Sequence, residues 1–249
     1  MKLLIISDVH GNWPALRTVL EAEPDADRTL CLGDLVGYGP QPFQCVAWAK
    51  ENLPPEWIVQ GNHDLAIGSN ADPRCLPAYA PLAAATRSFT ARALSPESRE
   101  FLACLQPRRW FRLPGTTCLA CHASPTNPLY HCLTAQNDAE SWKSELLQAR
   151  RPDFLFLGHT HHPLKMRLGG TWVVNPGSVG QPRYGESQAA YAVWRDGDVT
   201  LRRVAYDIDE TLQAYHDLEL DPYPLTALRA MLLYGSELSA HLIRYSLET

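Results

Sequence analysis

Five short apolar runs in the first part of this chain each end in side chains that can bind a metal ion. The runs cover residues 2–7, 29–32, 57–60, 117–121 and 154–157, and apolar runs of this length, bounded by Gly, Pro or polar residues, are typical of buried strands. In open α/β sheets the ligand crevice lies outside the carboxyl ends of the strands. The pattern therefore predicts one shared site, built from the segments that follow the runs: Asp8-Val9-His10, Gly33-Asp34, Gly61-Asn62-His63-Asp64, His122 and Gly158-His159-Thr160-His161.

The number of donors predicts two metal ions rather than one. A tetrahedral zinc site needs about three or four protein ligands, and these segments supply seven. Two ions about 3.5–4 Å apart clamp the attacking and leaving oxygens of an in-line displacement, and Asp34 is the natural bridge because a carboxylate has two oxygens. An imidazole and carboxylate set suits Mn, Fe, Co, Ni or Zn, of which we expect Mn. The candidate ligands are Asp8, His10, Asp34, Asn62, His122, His159 and His161.

Each of these side chains, taken alone, has an ordinary structural explanation. An aspartate after a strand often caps a helix, and a lone histidine such as His122 is more often a satisfied core residue than a ligand. If these explanations were correct, all of the metal-binding side chain types would have to follow apolar runs by chance. Glycines add weight to the metal site, because the chain must leave the strand sharply and approach the ions closely just before a ligand. The glycines in such positions are Gly33, Gly61 and Gly158.

In this order, the segments resemble the motifs of the calcineurin-like metallophosphoesterases. The resemblance covers residues 1–200 and includes every candidate metal-ligand motif. Residues 33–40 (GDLVGYGP) and 175–183 (NPGSVGQPR) are similar to the small prokaryotic branch of that superfamily. The resemblance implies an α/β fold of four layers, an α-β-β-α sandwich. It also implies a hydrolase that acts on phosphoric esters.

The resemblance further implies how the ligands divide between two metals. Three residues would hold one metal, three others would hold the second, and one carboxylate would bridge the two. These sets are Asp8, His10 and His161; Asn62, His122 and His159; and Asp34.

His63 is the expected general acid, and a metal-bound hydroxide is the expected nucleophile. His63 directly follows the candidate ligand Asn62, so it lies at the rim of the metal site. An imidazole whose pKa is near neutrality can give a proton to a departing alkoxide, whereas nearby cations disfavour the charged ring. Asp64 would offset that effect by orienting or tuning His63.

The residues around the ligands favour phosphodiesters as substrates. The protein-phosphatase branch has arginines near its Gly-Asp and Gly-Asn-His motifs, whereas this chain has Gln60 before Gly61 and Leu-Val-Gly after Asp34. A phosphomonoester dianion requires charge-assisted, bidentate donors, so their absence favours a diester. Arg183 and Asn12 are candidate phosphate contacts, although Arg183 is equally well explained as a surface residue.

Two other functions are compatible with the sequence. A phosphomonoesterase or dinucleoside-polyphosphate hydrolase would need a cationic clamp, which Arg183 or the predicted cap could supply. A non-catalytic binding scaffold of the same fold has no reason to keep a proton donor. The presence of His63 therefore argues against the scaffold.

Composition predicts a cytoplasmic enzyme, and the resemblance implies a small phosphoester substrate. The net charge is −5 without a basic block, so we expect no general nucleic-acid binding. No stretch approaches the roughly 18 apolar residues of a membrane span. The cysteines number seven, an odd count, and lie singly in apolar contexts. That pattern favours reduced thiols over a disulfide framework.

The chain of 249 residues is predicted to be a single metallophosphoesterase domain. Residues 69–106 are predicted to form a helical cap beside the site, and residues 207–249 a helical C-terminal extension. The C-terminal helices could pack on the core, shape the substrate cleft or form the contact of a homo-oligomer. Asp196-Gly197 predicts the turn of a hairpin between strands at 189–194 and 199–204.

Overall fold

Two β-sheets form the centre of the protein in a computed structural model that describes residues 1–218 and 220–236. The strands are β1 (Lys2–Ile6), β2 (Arg28–Cys31), β3 (Arg108–Leu113), β4 (Thr116–Cys121), β5 (Phe154–Phe156), β6 (Leu164–Leu168), β7 (Thr171–Asn175), β8 (Ala189–Arg195) and β9 (Asp198–Val204). Among the described residues, the first sheet has the order β2-β1-β8-β9 and the second the order β3-β4-β5-β7-β6. The β1–β2, β4–β5 and β5–β7 pairs are parallel, which places their carboxyl ends at common edges.

Helices cover the outer faces of both sheets. The helices are α1 (Trp13–Ala22), α2 (Pro42–Asn52), α3 (Asn62–Gly68), α4 (Ala80–Ala93), α5 (Pro96–Cys104), α6 (Ala139–Gln148), α7 (Ile208–His216) and α8 (Pro222–Tyr234). Local sequence explains where helices begin, as α5 illustrates. Ser95 caps α5 through its hydroxyl and Pro96 follows at the first turn, where a missing N–H does no harm.

The side chains of β1 show how the layers are held together. All five of its residues are buried, and successive side chains of a strand point to opposite faces. Leu3 and Ile5 pack against the second sheet, in a core shared with Phe156. Leu4 and Ile6 pack on the other side, in a core that includes residues of α1 and α2. A further core joins the second sheet to α6. The four-layer α-β-β-α sandwich is therefore confirmed.

The predicted cap is only partly helical. Helices α4 and α5 occupy 80–93 and 96–104, but residues 69–79 contain no helix. Pro73 and Pro77 interrupt this segment, and Asn70 and Arg74 have φ angles of 54° and 51°. A proline also keeps the residue before it out of the helical region. This irregular segment, rather than the helices, contributes the cap residues that line the central cavity.

The C-terminal helices pack on the cap and on the loop after β2. Leu212 and Tyr215 of α7 and Met231 of α8 share a buried cluster with Leu82 of α4 and with Tyr38. The Tyr215 hydroxyl also donates a hydrogen bond to the Tyr38 carbonyl over 3.2 Å. The described parts of these helices therefore pack on the cap and on the loop after β2, where Tyr38 lines the cavity. The predicted helical segment after residue 236 lies outside the described residues.

The hairpin between β8 and β9 was predicted correctly, with Asp196 and Gly197 both at positive φ in the turn. The predicted strand at 57–60 is reduced to one bridge between Ile58 and Cys31. Across the described ranges, no helix combines the length and apolar character needed to cross a membrane.

Candidate active site

The loops that follow the strands bring the predicted ligands to one edge of the two sheets. Asp8 and His10 follow β1, Asp34 follows β2, His122 follows β4, and His159 and His161 follow β5, while Asn62 begins α3. Five of these residues have left-handed φ angles between 48° and 66°, which is uncommon for residues other than glycine. Such backbone strain persists only where the surrounding structure enforces it, and it clusters at functional sites. The five are Asp8, His10, Asp34, His159 and His161.

One group of facing atoms comes from Asp8, His10 and His161. Their ligand atoms all lie within 4.8 Å of one another. The two Nε2 atoms of His10 and His161 are 3.1 Å apart, and Asp8 Oδ1 is 3.4 Å from His161 Nε2. All three side chains are at most 3% exposed.

A second group surrounds His122. Its Nε2 lies 3.1 Å from Asn62 Oδ1 and 3.2 Å from His159 Nδ1. Asp34 Oδ2 is 3.3 Å from the same nitrogen and 3.8 Å from His10 Nε2. Asp34 therefore lies between the two groups, where a bridging carboxylate would be. All seven candidate ligands are brought together.

The ring orientation of three histidines is fixed from behind by backbone carbonyls. The Nδ1 atoms of His10, His122 and His161 lie 3.1, 2.7 and 2.6 Å from carbonyl oxygens. The carbonyls belong to Val36, Leu32 and Gln181. In the neutral ring the proton lies on Nδ1 and is donated outward, so Nε2 presents a lone pair to the site.

The inward-facing atoms are therefore acceptors that face other acceptors. Asp8 Oδ1 is buried and has no hydrogen-bond partner among the described residues. Opposed acceptors in a buried site repel one another unless a positive charge lies between them, and a buried unpaired carboxylate oxygen is costly. This donor set fits divalent metal ions, which take carboxylate, amide and imidazole ligands.

The pKa values of Asp8 and His122 also indicate that positive charge stabilises the cluster. Burial raises the pKa of Asp8 to about 6, and the Asp34 carboxylate adds to that rise. Burial alone would lower the pKa of His122, but the attraction of Asp34 and Asp8 raises it to about 9. Burial lowers the pKa of His10 and of His161 well below the ordinary range. The two carboxylates thus favour a positive charge inside the cluster.

His63 lies beside the cluster and lines the cavity. Its backbone N–H donates to Asp34 Oδ1 over 2.9 Å. Its ring packs on the ring of Tyr38, with centroids 4.6 Å apart, and its Nε2 is 3.4 Å from the Cys75 sulfur. A Cβ at Gly37 would lie 2.5 Å from His63 Nδ1, so the ring fits only because that residue is glycine. Burial lowers the pKa of His63, against the attraction of Asp34.

Asp64 does not orient His63 in the way that was expected. Its Oδ1 accepts from the backbone N–H of Leu35 over 2.9 Å, and its Oδ2 accepts from those of Asp34 and Gly61 over 2.8 and 3.0 Å. The side chain is completely buried. These bonds fix the turn that carries Asp34 and the start of α3. Asp64 therefore positions the backbone of the site rather than the imidazole of His63.

The two candidate phosphate contacts have different surroundings. Arg183 is half-buried and lines the cavity, with its guanidinium carbon 3.9 Å from the Tyr79 ring centroid and one N–H donating to Gln181 Oε1 over 2.6 Å. Asn12 is 1% exposed and is not among the residues that line the cavity. Its Oδ1 accepts from Ala15 and Thr211, and its Nδ2 donates to Gly180 and Tyr206. Asn12 is therefore the cap of α1 and is not available to phosphate.

A cavity of about 570 Å³ opens from the cluster toward solvent. Besides His63 and four of the ligands (Asp34, Asn62, His159 and His161), its wall includes tyrosines, cysteines and an arginine that the sequence did not single out. Tyr38 lies in the 33–40 segment and was the only one of them near a recognised motif. The others approach through tertiary packing: Arg74, Cys75, Tyr79, Tyr130 and Cys132.

A family model described as the calcineurin-like phosphoesterase superfamily domain matches residues 1–196. The chain belongs to this superfamily. The phosphoesterase is therefore a hydrolase of phosphoric esters, and the non-catalytic scaffold is set aside. Metallophosphoesterases use divalent metals, and the Asp and His groups described above could hold such ions.

Similar proteins cover most of the phosphoesterase. A metallophosphoesterase structure from Sphaerobacter thermophilus is 31% identical, covers 94% of this chain and 99% of its own, and superposes with a TM-score of 0.79. An uncharacterized protein of Methanocaldococcus jannaschii is 28% identical over 85% of this chain and 90% of its own length. The phosphodiesterase YfcE of Escherichia coli is 26% identical over 80% of this chain and 89% of its own.

Proposed function

We propose that this phosphoesterase hydrolyses phosphodiesters at a centre of two divalent metal ions, for which Mn²⁺ is the expected ion. The observation that carries the proposal is the buried cluster in which the ligand atoms of Asp8, His10 and His161 lie within 4.8 Å of one another, while Asp8 Oδ1 has no hydrogen-bond partner among the described residues. When bound, divalent ions activate water and offset the negative charge on the phosphoryl oxygens.

The protein would hold the ions with the seven side chains that converge on the cluster. Asp8, His10 and His161 would hold one ion, and Asn62, His122 and His159 the other. Asp34 Oδ2, between the groups, would bridge. The backbone carbonyls behind His10, His122 and His161 keep the Nε2 atoms of these rings directed into the site. The three side chains are therefore already oriented for metal binding.

His63 would act as the general acid. Gly37 packs against its Nδ1 side, so Nε2 is the nitrogen beside the cavity wall at Cys75. A proton held at Nε2 can pass to the leaving oxygen of a bound ester. The bond from its backbone N–H to Asp34 fixes the distance between this acid and the metal-binding carboxylate.

The cationic side chains of the cavity support a diester substrate. Among the described residues, Arg74 and Arg183 are the arginines that line it, and Arg183 already donates to Gln181 while its face packs on Tyr79. A diester carries one negative charge at phosphate, whereas a monoester dianion requires several converging charged donors. One half-buried guanidinium near the cluster suits the diester better.

The diester assignment can be tested with bis(4-nitrophenyl) phosphate and 4-nitrophenyl phosphate in the presence of Mn²⁺. We expect a higher kcat/KM for the diester. A higher value for the monoester would contradict the proposal and favour the second candidate, a phosphomonoesterase or dinucleoside-polyphosphate hydrolase. Arg74 is the observation that favours this second candidate, because it is a second arginine in the wall of the cavity. In that case Arg183→Ala would remove most of the monoesterase activity.

A further inference from the structure

The cavity has a buried end and an open end with different chemistry. The buried end contains His63 and Tyr38, which are 5% and 2% exposed. The open end contains Leu76, which is 60% exposed, together with the exposed Arg74 and the half-buried Tyr130. The volume of about 570 Å³ lies in the range of sites that enclose a whole organic ligand, and it exceeds what a phosphate group alone needs.

Two tyrosine–arginine stacks line the cavity. The guanidinium carbon of Arg183 is 3.9 Å from the Tyr79 ring centroid, and that of Arg74 is 4.6 Å from the Tyr130 centroid. Arg74 belongs to the irregular cap segment, whereas Tyr130 belongs to the loop after β4. The outer stack therefore joins two separate parts of the chain across the mouth of the cavity.

This combination of groups is suited to a flat, unsaturated ring with polar edges. Tyrosine rings and guanidinium planes are the surfaces on which nucleobases stack in proteins. The exposed side chain of Leu76 adds apolar surface beside them, and the Arg74 guanidinium carries N–H groups that can bond base carbonyls. A short alkyl ester would leave these surfaces unused, and a lipid chain would make no use of the guanidinium.

We propose that the open end of the cavity binds the nucleobase of a nucleotide phosphodiester, by stacking on Tyr130 and Arg74, while the phosphate lies at the cluster. The inference rests on the proposed phosphodiesterase function and names the substrate class. Tyr130 and Arg74 then determine specificity, and they take no part in the chemical step.

Two diesters with the same leaving group and the same charge test this proposal. Thymidine 5′-(4-nitrophenyl phosphate) carries a nucleoside, and methyl 4-nitrophenyl phosphate does not. With Mn²⁺ supplied, we expect kcat/KM to be about tenfold or more higher for the nucleotide, from the usual worth of one base–aromatic stack. Tyr130→Ala should bring the ratio of the two values toward one, and Tyr130→Phe should keep it.

Control variants separate loss of stacking from loss of folding. Tyr223→Ala is the matched control, since Tyr223 is 49% exposed on α8 and is not among the residues that line the cavity. It should leave the ratio unchanged. If Tyr130→Ala does not fold, Arg74→Ala tests the same stack from its exposed partner and should also lower the ratio.

Binding of thymidine 5′-monophosphate and of inorganic phosphate, measured by calorimetry, gives a second readout. We expect tighter binding of the nucleotide, weakened by Tyr130→Ala. Equal kcat/KM for the two diesters, with both hydrolysed, would overturn the nucleobase site and leave the phosphodiesterase proposal standing. If neither diester is hydrolysed but the nucleotide binds more tightly in a Tyr130-dependent way, the phosphodiesterase proposal fails and the nucleobase site stands.

Discussion

The carboxylate of Asp64 holds the backbone of Asp34, with 2.8 Å between Asp64 Oδ2 and the Asp34 nitrogen. The same carboxylate also accepts from Leu35 and Gly61, so one buried side chain ties the turn after β2 to the start of α3. Asp34 is the carboxylate between the two ligand groups, and Asn62 and His63 stand at the start of α3. The relative placement of acid and bridging ligand therefore depends on Asp64.

The variant Asp64→Asn should destabilise the protein and loosen the site. An amide group turns one acceptor into a donor that faces backbone N–H groups, and an unsatisfied buried donor costs about 1–3 kcal/mol. We expect a lower urea midpoint and weaker Mn²⁺ binding by calorimetry. The exposed Asp209 provides the control, and Asp209→Asn should change both measurements little. Unchanged Mn²⁺ affinity in Asp64→Asn would contradict the positioning role.

His63→Ala should lose turnover and keep metal. General acid catalysis is worth about 10²–10⁴-fold in rate, and the loss should be greatest for esters with poor leaving groups, which need the proton most. Bound Mn²⁺, measured by atomic absorption after dialysis, should equal that of the unchanged protein. Asp34→Ala is the contrasting variant and should lose both ions. Full activity of His63→Ala toward an alkyl leaving group would rule out the acid assignment.

Gly37→Ala should displace the His63 ring. The added Cβ would lie 2.5 Å from His63 Nδ1, and Gly37 has a φ of 91°. Gly115 offers a matched control, because its φ is 75° but a Cβ there would meet nothing within 4 Å. Both alanine variants should lose about 1 kcal/mol or more of unfolding free energy from backbone strain. Only Gly37→Ala should also lose kcat, measured on a phosphodiester; equal kcat values in the two variants would exclude this contact as a constraint on His63.

The stability of the protein should fall in acid partly through Glu23. Burial raises the pKa of Glu23, but hydrogen bonds from Lys2, Arg202 and Tyr191 outweigh burial and lower it below the ordinary 4.5. A lowered folded-state pKa gives stability that is fully present above the unfolded pKa and is lost as pH falls through the folded pKa. The free energy of unfolding should therefore decline below about pH 4.5.

Glu23→Gln isolates this contribution. It should reduce the free energy of unfolding at pH 7 by about 1–3 kcal/mol, since bonds to a charged acceptor are lost. It should also make the decline in acid shallower. Glu21→Gln is the control, because Glu21 is 69% exposed. Urea denaturation at a series of pH values measures both effects, and an equally steep decline in Glu23→Gln would assign the acid sensitivity to other groups.

The ligands were predictable because strand ends and donor chemistry are local properties of the sequence. The two edge strands of the second sheet, β3 and β6, were not predicted. β3 has Arg108 and Arg112 at exposed positions and β6 has Arg167, so these strands lack the apolar runs of the central strands. Asn12 was predicted as a phosphate contact because a short polar side chain after a strand can either bind a ligand or cap a helix. Only its tertiary surroundings distinguish the two roles. The approach of Arg74 to Tyr130 arises from tertiary packing that no local pattern encodes.

The packing of Tyr38 links the active site to the last described helices. Its ring contacts His10 and His63, and the same side chain belongs to the cluster built with α7 and α8. During synthesis on the ribosome, all seven candidate ligands emerge well before these helices do. The wall of the site around Tyr38 is therefore finished late, and a nascent chain that already holds every ligand still lacks part of its catalytic surroundings.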